Sequence, residues 1–209
     1  MRRGRDYGIG NFIYGSNPGV EFEFAIEDSL HTIVGANVTA YMHTNLWFKT
    51  FFSCLITRAS KARAELCKTP TSVFQNANIK PNAYDLAYVD LLKGLFDSEA
   101  NLSQIFKNIS DTSDPEVLEV ERQDFIYDIM NPTMLLLYHM LRNDENAFNE
   151  QLENALNSHK EFWSNNADDS YGWISLPILA ACSLAIDNKD FSITVESEYI
   201  PKWLYEKDF

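Results

Sequence analysis

Beyond residue 19 this chain almost stops using glycine. Five of its eight glycines (Gly4, Gly8, Gly10, Gly15, Gly19) fall in the first 19 positions, leaving three for the remaining 190. Tight hairpins usually need glycine where φ turns positive, so a chain this short of it is a poor strand-and-turn protein. Helical patterns recur instead. "PNAYDLAYVDLLKGLFDSE" sets Tyr84, Tyr88, Leu91, Leu92 and Leu95 on one stripe. "DENAFNEQLENALNSHKEFWS" does the same with Phe148, Leu152, Ala155, Leu156, His159, Phe162 and Trp163.

The fold expected is all-α: a single domain over 1–209 of packed antiparallel helical pairs, with a less regular, loop-like arm over 1–20 and a short strand-like C-terminal tail. A chain of 209 residues, 45% apolar and 22% charged, is long enough for one substantial core. "VEFEF" reads as a short strand, and Ala25 to Cys67 as two helices, the second running through "NLWFKTFFSCLITRASKARAEL". "CKTPTSVFQNANIKP" reads as a long connection. Asp114 and Pro115 form an N-cap and first-turn pair, and Asn131 with Pro132 repeats the device. "DDSYGWISLPILAACSLAIDN" reads as a buried helix that tolerates Pro177 in its first turn, with Asp168 or Asp169 as a cap near Tyr171.

The net charge of −13 is concentrated: residues 85–169 hold 18 acids against five bases. Such a surface repels nucleic acid and anionic membranes and attracts a basic partner. Residues 49–68 run the other way, with a small basic cluster that complements a helix C-terminus. Cys54, Cys67 and Cys182 are odd in number and lack CxxC spacing, which fits free thiols in a reducing cytoplasm. "MRRGRDYGIGNFIYG" has no apolar segment behind its basic start, so it does not read as a secretory signal. The longest apolar run, "GWISLPILAACSLAI", has 15 residues against the roughly 20 a spanning helix needs.

Signals for catalysis are weak. The "GIG" of Gly8 to Gly10 lacks the strand, third glycine and helix of a dinucleotide fingerprint. The four histidines, His31, His43, His139 and His159, show no metal-chelating spacing. His159 sits on an apolar stripe, as a hydrogen-bonded core histidine does. The expectation is a protein without catalytic residues, metal or cofactor.

The order "ENALNSHKEFWS", "DDSYGWISLPILAACSLAIDNKDFSITVESEYIPKWL" resembles the immunity 49 family of bacterial polymorphic toxin systems. The matching positions are His159, Lys160, Phe162, Trp163, Leu176, Ala180, Ala181, Val195, Glu196, Ser197, Tyr199, Ile200 and Pro201, within about residues 145–204. The family pattern often carries a glycine before the tail; "DNKDF" stands there in this chain. The resemblance implies a non-enzymatic, helical, cytoplasmic protein that binds and neutralises a cognate toxin domain; the acidic charge, separately, argues against a nucleic acid or membrane partner. It makes His159, Trp163, Trp173, Tyr199 and Pro201 determinants of the fold. Partner contacts are then expected on acidic surface, with Asp111, Asp114, Glu116, Glu119 and Glu121 as the densest run. Two other readings stay open. One is a helical adaptor holding a peptide in a groove; the other is an enzyme using distant carboxylates with a solvent-open His159.

Overall fold

The computed structural model describes residues 1–26, 29–37 and 41–208, with Phe24 by its backbone alone. The protein is mostly helical, with a small antiparallel sheet near the N-terminus. The chain forms two compact units, Met1–Leu118 and Glu119–Phe209.

The first unit opens on a helix, α1 (Arg2–Ser16), in place of the loop-like arm expected over 1–20. Its glycines are contact points, not chain breaks. A Cβ at Gly8 would run into Thr50, and one at Gly15 into Met42, so the missing side chains let α1 lie close against its neighbours. The "GIG" of Gly8 to Gly10 is therefore helix interior and no phosphate loop. Strand β1 (Glu21–Ile26) matches the "VEFEF" reading, and β2 (Ser29–Val34) pairs with it in register from Glu21↔Val34 to Ile26↔Ser29. The second strand corrects the helix expected from Ala25 onward. Its β-branched Thr32–Ile33–Val34 run favours the pleated backbone.

The single helix expected over residues 45–66 is two, α2 (Thr44–Ile56) and α3 (Ser60–Cys67). Arg58 adopts φ 54, and the Arg58 and Ala59 amides reach back to the Leu55 and Cys54 carbonyls at 3.1 and 2.9 Å. That is a Schellman stop with arginine where glycine usually sits. Inside the expected long connection lies α4 (Thr71–Asn76), held because Val73 and Phe74 are buried. Helices α5 (Ala83–Gly94) and α6 (Leu102–Thr112) complete the unit, capped by Asn82 and Asn101. The core is aromatic: Trp47 stacks on Phe51 at 4.9 Å and meets Phe74 edge-on at 6.2 Å, and Phe12 meets Phe74 at 6.0 Å. Trp47 Nε1 donates to the Leu66 carbonyl at 3.2 Å, so its one polar group is satisfied.

The second unit begins with α7 (Val120–Phe125), a π-helical turn over Ile126–Met130 and α8 (Asn131–Leu141), which follow one another without a break. Asn131 is thus helical (φ −63, ψ −44) and not the cap expected, while Pro132 does lie in the first turn of α8. Proline lacks an amide and crowds the carbonyl one turn back. Widening the preceding turn, with the Asn131 amide bonded to the Ile126 carbonyl, accommodates it. Helix α9 (Glu145–Ser164) is capped by Asp144, which accepts from the Ala147 amide at 3.1 Å. It buries Phe148, Leu152, Ala155, Leu156 and His159, each large apolar chain contributing about 1.5–3 kcal/mol.

A 3-10 turn at Ser170–Gly172 leads into α10 (Leu176–Lys189), which buries eight consecutive residues, Ile178 to Ala185, against its neighbours. Residues Ser170–Lys189 are apolar enough over 20 residues to resemble a membrane span. The regular helix within them has 14 residues, about 21 Å against the roughly 30 Å of a hydrocarbon core. Helix α11 (Lys202–Tyr205) closes the described chain. The tail before it is not the strand expected. Burial alternates from Phe191 to Ile200 as a strand's would, but the partner is the side-chain row of α9. Asn149 Oδ1 accepts from the Thr194 amide at 2.9 Å, Asn149 Nδ2 donates to the Ser192 carbonyl at 3.0 Å, and Glu145 Oε1 accepts from the Ser192 amide at 2.8 Å.

Candidate functional site

The resemblance-bearing residues gather in the second unit where α9, the turn after it, α10 and the tail meet. Helical phase turns His159 inward at 2% exposure, and its Nε2 lies 3.0 Å from the Gly172 carbonyl oxygen. The Tyr199 ring meets the imidazole edge-on at 5.0 Å, and the Trp163 ring lies at 6.3 Å. Gly172 is pressed on Trp163 so closely that a Cβ there would lie 2.8 Å from Trp163 Cγ. The Ser175 amide donates to the Tyr199 carbonyl at 2.9 Å, tying the start of α10 to the tail, and Pro201 forms the N-cap of α11 beside buried Ile200. His159, Trp163 and Tyr199 thus bring α9, the turn after it and the tail together, and the Ser175–Tyr199 backbone bond adds the start of α10.

This is a structural cluster. Burial holds the His159 pKa below its ordinary 6.5, and the Gly172 hydrogen bond offsets only part of that. A neutral imidazole donating from Nε2 leaves Nδ1 as a bare acceptor, and Nδ1 has no hydrogen-bond partner among the described residues. The enzyme reading needs a solvent-open histidine in reach of an acid; His159 is sealed and bonded to a backbone carbonyl. Burial likewise raises the thiol of Cys54 to about 12 and that of Cys182 further, which suits inert core cysteines. No group of three or more His, Cys, Asp or Glu side chains arranged to hold a metal is present among the described residues.

Trp173 lies outside the buried cluster, although its indole nitrogen still ties the loop together. It is 62% exposed, with Nε1 donating to the Ala167 carbonyl at 3.1 Å, and Tyr171 beside it is 60% exposed. The helical stripe carries no hint of this, because the chain leaves helical phase at Asn165 and re-enters only at Leu176. Asp169 does cap the turn, accepting from the Tyr171 amide at 2.9 Å; Asp168 makes no such bond.

The acidic candidates are all exposed but locally distinct. Asp111, on α6, is ion-paired with Lys107 at 2.7 Å. Asp114 does not cap a helix at 115: its Oδ1 accepts from the Glu116 amide at 2.8 Å in a single turn, and regular helix resumes only at Val120. Leu118, 7% exposed, turns inward between them and interrupts the run. Asp111, Asp114 and Glu116 belong to the first unit, Glu119 and Glu121 to the second. The first unit also has a groove of about 650 Å³, lined by Ile9 and Ile13 with Asp6, Glu23, Lys61 and Glu65 among its charges. No motif announces it, since three separate elements build it.

The protein is mostly helical, the His159 cluster is buried, and acids and two aromatic rings, Tyr171 and Trp173, are among its exposed side chains. Its family can be stated. The sequence model of the family described as Immunity protein 49 matches residues 8–204, far beyond the C-terminal resemblance, and the chain belongs to that family. Comparison with curated proteins and with solved structures returns no match.

Proposed function

We propose that this chain protects the cell that makes it by binding a cognate toxin domain directly, in the cytoplasm, and blocking its action. The observation that carries the reading is the family match over residues 8–204. The charge distribution supports a basic partner: residues 85–169 hold 18 acids against five bases. Such a field speeds encounter with a basic domain and weakens it as salt screens the charges. The exposed acids Asp111, Asp114, Glu116, Glu119 and Glu121 are offered as contributors to that contact, with Asp111 the least available because Lys107 already neutralises it. A nuclease-like or other basic toxin domain fits equally. The test is co-purification of the full chain with the toxin domain encoded by the adjacent reading frame. A stoichiometric complex that weakens with added salt is expected; two proteins that elute separately at low salt would overturn the reading.

A further inference from the structure

The connection between α9 and α10 combines features that a mere linker has no need of. Its rings are outward: Trp173 is 62% and Tyr171 60% exposed, whereas Trp47 in the first unit is fully buried. Residues 164–171 are exposed throughout. Yet the segment is tightly fixed. The Asn166 amide bonds to the Trp163 carbonyl, the Asp169 amide to Asn166 and the Gly172 amide to Asp169, each at 2.9 Å. Asp169 Oδ1 holds the Tyr171 amide, Trp173 Nε1 holds the Ala167 carbonyl, and His159 anchors the Gly172 carbonyl from below.

We infer that this loop is a preformed docking surface for a guanidinium-bearing face of the toxin domain, an inference that rests on the function proposed above. The charge pattern selects the occupant. From Glu161 to Ser175 the only charged side chains are Glu161, Asp168 and Asp169, all exposed, with Lys160 the base just before them. Exposed indole and phenol faces attract cations, arginine above all, because its planar group stacks on a ring and pairs with a carboxylate together. Tryptophan and tyrosine are also the side chains that most often dominate the energetics of protein contacts. Holding the Trp173 indole and the Tyr171 backbone beforehand lowers the ordering cost of binding. A second copy of the chain is a poor occupant, since a twofold contact would set Asp168 and Asp169 against themselves. The buried half of the loop therefore builds the fold, and its exposed half reads the partner.

The test is calorimetric titration of the full chain with the toxin domain of the adjacent reading frame, using Tyr171→Ala with Trp173→Ala, and separately Asp168→Lys. The Asp168 side chain makes no hydrogen bond among the described residues, so its reversal leaves the fold intact. The aromatic double variant is expected to lose at least about tenfold in affinity. Asp168→Lys is expected to associate several-fold more slowly, with an unchanged melting temperature. If the wild type binds and both variants bind within twofold of it, the docking inference falls while the proposed function stands. If the wild type itself does not bind, both fall. A wild-type dimer that dissociates on Trp173→Ala would show self-association instead and overturn the inference.

Discussion

His159 shows how a reactive residue type is made structural. Held below its ordinary pKa of 6.5 by burial, it takes up a proton less readily when folded than when unfolded. Its contribution to stability is complete above about pH 6.5 and is lost as the pH falls through the folded value. His159→Gln keeps a donor for the Gly172 carbonyl but cannot titrate. Urea midpoints at pH 7.5 and 5.0 should therefore fall further for wild type than for the variant; equal falls would remove the account. Asp190 makes a second residue-scale case. In "DNKDF", Asp190 ends α10 at φ 54, ψ 33, the left-handed region that glycine occupies without strain. Asp190→Gly should stabilise the protein by about 0.5–1 kcal/mol, measured by thermal or urea melting.

At the scale of elements, legibility followed the number of signals that agreed. Helix α9 is legible because its apolar residues keep one helical period from Phe148 to Trp163; the structure adds its cap, Asp144. Helix α1 was not, since its glycines signal a loop locally and make sense only beside Thr50 and Met42, which the sequence does not place there. The tail was half legible: its alternation is real, but the partner is Asn149 on a helix, a pairing that no strand rule anticipates. Asn149→Ala should cost about 1 kcal/mol. It should also speed hydrogen exchange at the Ser192 and Thr194 amides while leaving those of α8 protected. Unchanged exchange at Thr194 would show that the tail is held by its apolar contacts instead. The candidate site divides the same way. Spacing places His159 and Trp163 on one stripe of α9, Tyr199 is marked by the resemblance alone, and the outward rings of Tyr171 and Trp173 depend on a break in phase between two helices.

For the whole molecule the governing quantity is its field. A net charge of −13, all of it accounted for by residues 85–169, makes association with a basic domain fast at low salt and slower as ions screen it. Glu119→Lys with Glu121→Lys reverses two exposed charges at the start of α7 and should lower both the association rate and its salt dependence, with a small fall in melting temperature because lysine opposes the helix dipole there. A rate that does not change would take these acids out of the contact. The central claim, that the protein neutralises a toxin by binding it, is tested most directly by survival. Cells expressing the adjacent toxin domain should grow when this chain is co-expressed and die without it; death at equal rates in both would contradict the account.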